Sequence, residues 1–277
     1  MEIWTEEPLA GGAGAATGAV TRLTGRVRGH PVALIRKEFR PVTTGRHAAA
    51  AQDPRHWAYW RREALAYASG LLPAGPGLRA PRCYGVAGDV VYLEDAGTAP
   101  ESAAVAARRL ARWQSAAPVP DRPWLAGDQL VQRLAVTDLD WRAVGADPRL
   151  AALWARRGEL LAARAAVPRV LSHGDFHLGQ LRAVGDTTVV LDWATLGLGP
   201  VGADLAQLAL STLRDPVPDY LAGSRFAPAA VRTGYATTLA LTGASRVHWM
   251  LSAGVPVPAG YQEFVVAQVC TMQPQPS

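Results

Sequence analysis

Two segments carry the residues best able to do chemistry: His173-Gly174-Asp175-Phe176-His177-Leu178-Gly179-Gln180 and Val189-Val190-Leu191-Asp192. They set two aspartates and a neutral amide on either side of a short predicted hairpin. Such a set can activate a hydroxyl and hold a metal-bound triphosphate. Phosphoryl transfer needs a carboxylate at the acceptor, ligands for magnesium and a cation on the phosphates. Asp175 is the candidate base. It follows a glycine in a loop that opens just after Val170-Leu171, so it is backed by core while facing outward. The candidate cation is Lys37. Of the 28 lysines and arginines it is the one lysine, and it sits in the apolar run Val32–Phe39. A chain that uses arginine for every other cation keeps lysine where a compact ammonium on a strand is needed.

The elements that position these groups are legible in outline. Strands are expected at Val20–Val27 and Val32–Phe39 around a turn at Arg28-Gly29-His30-Pro31, after the glycine-rich Gly11–Gly18 segment. That segment reads equally as a phosphate-covering loop or a plain turn. A helix is predicted from Asp53-Pro54, an N-cap followed by proline. Trp57, Trp60, Ala64, Tyr67 and Leu71 form its apolar face and Glu63 lies beside it. Strands Arg82–Val86 and Val90–Leu93 follow. Alanine-rich helices then occupy Glu101–Ala116, Leu130–Leu134 and Leu150–Ala166, and later Val201–Leu213 and Pro228–Leu251. Between them a Gly185-Asp186 turn closes a hairpin of Leu181–Val184 and Thr187–Leu191. This pairs Gln180 with Leu191 and brings the Gln180 amide within a residue of Asp192. Strict alternation would send the two to opposite faces. An all-oxygen magnesium site therefore requires Asp192 to lie beyond the ladder, in the loop Asp192–Thr195. The chemistry of the pattern calls for a small β-rich lobe, residues 1–95, and a larger helical lobe, residues 96–277, with a ligand cleft at their seam.

Composition limits the function classes. The 277-residue chain carries a net charge of +5, but its arginines are scattered or paired, as at Arg61-Arg62, Arg108-Arg109 and Arg156-Arg157. Scattered arginines read as helix-surface charge and exclude a nucleic-acid binder. Cys83 and Cys270 form neither a disulfide framework nor a zinc site, which fits a reducing compartment. No run reaches the ~18 apolar residues of a membrane span. A cytoplasmic monomer or homodimer is expected, with neither nucleic acid nor membrane as partner. His173 and His177 read as loop organisers rather than metal ligands. Trp141, Trp154 and Trp249 read as core, and the Gln-Pro tail after Cys270 as frayed.

His173 to Gln180 resembles the HGDxHxxN motif of the aminoglycoside phosphotransferase and choline kinase group, small-molecule kinases of protein-kinase-like fold. Leu191-Asp192-Trp193, Gly199-Pro200 and Gly202-Ala203-Asp204-Leu205-Ala206 are also similar to that group. The resemblance implies an α+β, two-lobed protein-kinase-like fold with a small antiparallel β N-lobe and a mainly helical C-lobe. It makes Asp175 the catalytic base and Gln180 and Asp192 the magnesium ligands. Asp204 and His173 support the catalytic loop, and Lys37 with its partner Glu63 serves the phosphates. Leu93-Glu94-Asp95-Ala96 resembles the hinge that meets adenine through its backbone, at Glu94 and Ala96. The implied cofactors are ATP or GTP and Mg2+, and the partner is a small-molecule hydroxyl acceptor. Gln180 departs from the family's asparagine, keeping the amide oxygen and adding a methylene. The HGDxHLGQ form also resembles that of maltokinases and glucosamine kinases, although the extra N-terminal domain of maltokinases is not expected here. Gly174 stands where Ser/Thr protein kinases carry arginine, and neither DFG nor APE occurs. An aminoglycoside or other cationic antibiotic is the expected acceptor, which calls for carboxylates such as Asp138, Asp140, Asp215, Asp219 or Glu263. A sugar or amino-sugar kinase and a catalytically silent pseudokinase are the alternatives.

Overall fold

The computed structural model describes residues 2–9, 14 and 16–270. Most of the glycine segment and the tail beyond Cys270 lie outside the described residues. In chain order the first elements are β1 (Glu2–Pro8), β2 (Thr17–Val27), β3 (His30–Phe39), α1 (Arg62–Ser69), β4 (Leu78–Arg79), β5 (Cys83–Ala87) and β6 (Val90–Glu94). Next come α2 (Ala103–Ala116), α3 (Gln129–Leu134), α4 (Pro148–Ala155), α5 (Arg157–Ala165) and β7 (Arg169–Ser172). The chain continues through β8 (Leu181–Val184), β9 (Thr187–Val190), β10 (Gly197–Pro200), α6 (Ala203–Thr212), α7 (Val217–Leu221), α8 (Pro228–Ser252) and α9 (Tyr261–Cys270).

The chain divides into two compact units, and the division is not sequential. One unit comprises residues 1–101, 120–127 and 180–197; the other comprises 102–119, 128–179 and 198–277. The first unit is built on a five-stranded sheet of order β1-β2-β3-β6-β5. Arg28 and Gly29 make the β2–β3 turn at φ 50° and 80°, the paired left-handed conformation that matches strand twist. Lys37 lies opposite Val20 on one neighbour and Val91 on the other. Phe39, Val42, Ala51, Trp60, Ala64, Val91 and Leu93 form the core against the sheet, with Ile35 and Tyr67 packed beside them. A second small sheet, β4-β9-β8, contains the predicted hairpin in its predicted register, Val184 against Thr187.

The helix expected from Asp53-Pro54 begins only at Arg62. Residues before it form successive tight turns, His56 N–H donating to Asp53 O (3.0 Å) and Tyr59 N–H to His56 O (2.9 Å). The reason is competition for carbonyls. The Arg62 guanidinium takes the oxygens of Pro54, His56 and Trp57, which a continuous helix would offer to amides four residues on.

The second unit is helical. The single helix expected over Leu150–Ala166 is two, broken at Arg156 (φ −89°, ψ 12°). Leu130, Trp154, Leu241 and Ala244 form one core cluster, with Trp141 packed against it. Trp249, expected in the core, is 61% exposed, because it falls off the α8 face that buries Val247 and Met250. The start of α6 crosses α8 at two glycines. A Cβ at Gly202, where φ is 91°, would lie 2.3 Å from Val231 O, and one at Gly234 would lie 1.9 Å from Val201 O. This close approach places Asp204, in the first turn of α6, in the interior.

Candidate active site

In the first unit the buried Lys37 lies between the buried Glu63 and the half-exposed Asp192. Its Nζ donates to Glu63 Oε2 at 2.6 Å and to Asp192 Oδ1 at 2.9 Å. Burial alone would lower the ammonium's pKa, but Glu63 and Asp192 outweigh it and raise it above the ordinary lysine value. Burial pushes the Glu63 carboxyl up, and the Lys37 charge opposes that rise. Glu63 is 1% exposed, so it does not make the surface pairs a helix glutamate beside two arginines usually makes. Its Oε1 and the Tyr67 hydroxyl, one turn further along α1, are buried with no hydrogen-bond partner among the described residues.

Asp192 lies off the strand ladder, as a shared metal site requires. β9 ends at Val190, and Asp192 turns into the left-handed region at φ 58°. Leu191 N–H still donates to Gln180 O at 2.8 Å, extending the ladder by one step. Gln180, at the end of a 3₁₀ turn, then brings its amide Nε2 to 3.5 Å from Asp192 Oδ2. The donor set is a carboxylate and an amide, which offers oxygen ligands only and fits a hard cation such as magnesium.

At the other end of β6, Glu94 is held by its side chain. Arg79 grips both carboxylate oxygens at 2.5 and 2.8 Å, and Arg82 N–H donates to one at 3.0 Å. The Arg79 guanidinium holds the Glu94 carboxyl below the usual glutamate value, against burial. The Glu94 N–H donates to Arg82 O (2.8 Å). Asp95 ties Ala96 between two anchors, its Oδ2 accepting from Arg22 and its Oδ1 from Gly97 N–H.

In the second unit Asp204 holds the loop that carries Asp175. Its Oδ1 accepts from the Ser172 hydroxyl and Gly174 N–H, both at 2.8 Å, and its Oδ2 from His173 N–H and Gln114 Nε2, both at 3.0 Å. Gln114 is fixed in turn by the Tyr220 hydroxyl at 2.7 Å. Burial pushes the Asp204 carboxyl up, opposed by His173 and the donated hydrogen bonds. The two histidines organise the loop: His173 Nδ1 accepts from Asp175 N–H and His177 Nδ1 from Gly179 N–H. Asp175 lies 3.5 Å from His177 Nε2. Burial would raise its pKa, yet His177, His173 and Arg246 together hold it below the ordinary aspartate value. A carboxylate ionised at neutral pH is the state a base requires.

Several residues of these clusters carried no sequence signal. Gln114, Ser172 and Arg246 belong to no motif. Gln129, with its amide turned to satisfy both ends, donates to Gly174 O at 2.8 Å and accepts from Arg133 at 3.0 Å. Arg62, read from its Arg61 neighbour as surface charge, is 0% exposed. An arginine immediately before the candidate Glu63 was the available hint.

The family model described as "Phosphotransferase enzyme family" matches residues 43–236. No curated protein matches the chain in sequence. Among solved structures, the aminoglycoside phosphotransferase APH(4)-Ia is 16% identical with a TM-score of 0.55, over 99% of this chain and 95% of that one. A choline kinase from Cryptosporidium parvum is 12% identical, TM-score 0.55, over 97% and 87%. An amicoumacin kinase solved with AMP-PNP is 13% identical, TM-score 0.54, over 96% and 86%. The fold is therefore α+β and protein-kinase-like.

Proposed function

This chain belongs to the phosphotransferase enzyme family, and we propose that it transfers the γ-phosphoryl group of ATP or GTP to a hydroxyl of a small molecule. The observation that carries the reading is the Lys37 ammonium between Glu63 at 2.6 Å and Asp192 at 2.9 Å. A buried cation facing two carboxylates adds little net stability after desolvation, whereas a lysine held rigid by Glu63 can meet phosphate oxygens. Asp175 accepts the acceptor's proton. Gln180 and Asp192 are the residues that would hold magnesium, which neutralises charge on the phosphates when bound. The backbone of Glu94 and Ala96 would meet the purine. The neighbouring APH(4)-Ia and amicoumacin kinase structures that contain AMP-PNP support nucleotide binding.

The acceptor class we favour is an aminoglycoside or other cationic antibiotic, supported by a neighbour solved with hygromycin B. A second reading, a sugar or amino-sugar acceptor, is favoured by how the carboxylates are used. Asp219 pairs with Arg108 at 2.6 Å, Asp215 caps Val217 N–H, and Asp140 caps Arg142 N–H. That leaves fewer carboxylates for a polycation. The test is magnesium-dependent γ-phosphate transfer from ATP and GTP to aminoglycosides, cationic peptide antibiotics, glucosamine and maltose. Transfer to one acceptor, abolished in Asp175→Asn with nucleotide binding kept, is the expected result. Nucleotide binding without transfer to any acceptor would favour a silent kinase, and no nucleotide binding would end the proposal.

A further inference from the structure

Arg62 is the least expected group in the first unit. All five of its N–H donors are committed to backbone carbonyls. Nε donates to Trp124 O at 2.8 Å, Nη1 to Trp57 O at 2.7 Å and Ala194 O at 3.3 Å, and Nη2 to Pro54 O and His56 O, both at 2.7 Å. None of the five goes to a carboxylate. Burial pushes the guanidinium down to about 10, and the side chain is fully buried. It also stands at the first position of α1, where the helix dipole disfavours a cation. These costs are offset only through the five carbonyls the guanidinium satisfies.

The carbonyls it gathers explain its presence. They come from three stretches remote in sequence: the turns leading into α1, the 120–127 strap, and the turn after Asp192. The strap is tied to the same places, Gly127 N–H to Arg55 O at 2.9 Å and Ala126 N–H to Leu196 O at 3.1 Å. Arg62 precedes Glu63, and Ala194 follows Asp192 by two residues. One rigid planar fork therefore spans the helix that carries the lysine's partner and the turn that carries the metal-ligand aspartate. Lysine, with three donors on one nitrogen, cannot reach five carbonyls in a fixed plane.

We propose that Arg62 is a positioning residue that locks the Asp192 turn to helix α1, so that Lys37, Glu63 and Asp192 converge on metal-bound nucleotide. This rests on the proposed phosphotransferase reading. Without the clamp, α1 and the turn lose their direct polar tie and keep the bridge through Lys37. An offset of about 1 Å at reacting groups costs on the order of 10²-fold in rate.

The experiment measures ADP affinity calorimetrically with and without Mg2+, together with kcat and KM for ATP, in the wild type, Arg62→Lys and Arg62→Met. Circular dichroism checks that each is folded. The wild type should bind ADP more tightly with Mg2+; if it does not, the phosphotransferase reading fails and this inference falls with it. In folded Arg62 variants the Mg2+ enhancement should disappear and kcat should fall about 10²-fold, while metal-free ADP affinity stays at the wild-type value. Wild-type enhancement and kcat in both variants would overturn the proposal. So would an equal loss of metal-free binding, the mark of a general structural role. If Arg62→Met does not fold, Arg62→Lys and Gly197→Ala carry the test. A Cβ at Gly197 would meet Ala126 O at 2.5 Å, displacing the strap while leaving the arginine intact. It should give the same loss of Mg2+ enhancement in milder form, and full retention there would count against the clamp.

Discussion

Replacing Asp204 with asparagine changes one atom and should still unsettle the catalytic loop. The wild-type carboxylate accepts four hydrogen bonds, two on each oxygen. An asparagine must turn its NH2 toward one pair. Facing His173 N–H and Gln114 Nε2, it would meet two donors, and Gln114 cannot turn over without giving up the Tyr220 hydroxyl. Facing Ser172 and Gly174 is cheaper, because the Ser172 hydroxyl can rotate to accept. That orientation orphans the Gly174 N–H alone, at about 1–3 kcal/mol, and turns two charge-assisted bonds into neutral ones at about 1 kcal/mol each. The sum is about 3–5 kcal/mol. For a chain of this size roughly 2–4 °C accompanies each kcal/mol, so a fall in Tm of roughly 6–20 °C is expected. Because Gly174 N–H is the bond lost and Asp175 is next in sequence, kcat should fall as well at temperatures where the variant is folded. Thermal unfolding followed by circular dichroism, with kcat measured well below the transition, is the assay. A Tm unchanged to within about 2 °C would refute the orientation argument, since no arrangement of asparagine satisfies all four donors.

Three further outcomes are expected. Gln180→Asn keeps the amide oxygen and removes a methylene, so a Mg2+ titration of the rate should show an enzyme undamaged or faster; a folded but dead variant would mean that the longer side chain is part of the metal geometry. His177→Gln removes the neighbour that does most to hold the Asp175 carboxyl down against burial, so the acidic limb of the kcat/KM profile should move to higher pH, and an unmoved limb would remove His177 from that role. Lys37→Met leaves Glu63 buried without its cation. Burial already raises that carboxyl to about 7 with the lysine present. A group whose pKa is raised on folding stabilises most below its unfolded value and loses that contribution as pH rises through the folded one. The variant should therefore lose more urea stability than the wild type between pH 5 and about pH 8, and parallel stability curves would contradict this.

The chemistry was legible because it rests on local pattern. The two-residue turn at Gly185-Asp186 dictates the β8–β9 register, and that register brings Gln180 beside Leu191 wherever the hairpin sits. A lone lysine in an apolar strand and a Gly-Asp pair after Val170-Leu171 marked Lys37 and Asp175 in the same way. Helix limits were less legible. The Asp53-Pro54 start signal is real at short range, since Asp53 Oδ1 accepts from Arg55 N–H at 2.9 Å. It fails as a helix start because a side chain eight residues on claims the carbonyls.

The sequence alone thus determined the class of chemistry and the hairpin register, and it singled out Lys37, Asp175, Gln180 and Asp192 as candidates, since each rests on a spacing of a few residues. Only the tertiary structure decided which polar groups are interior. The four donors on Asp204 come from residues 114 and 172–174, and the five carbonyls on Arg62 from residues 54–57, 124 and 194. No local propensity encodes such convergence. Backbone carbonyls look alike in every sequence, and an arginine is drawn inward only once the fold has gathered enough of them to replace its water.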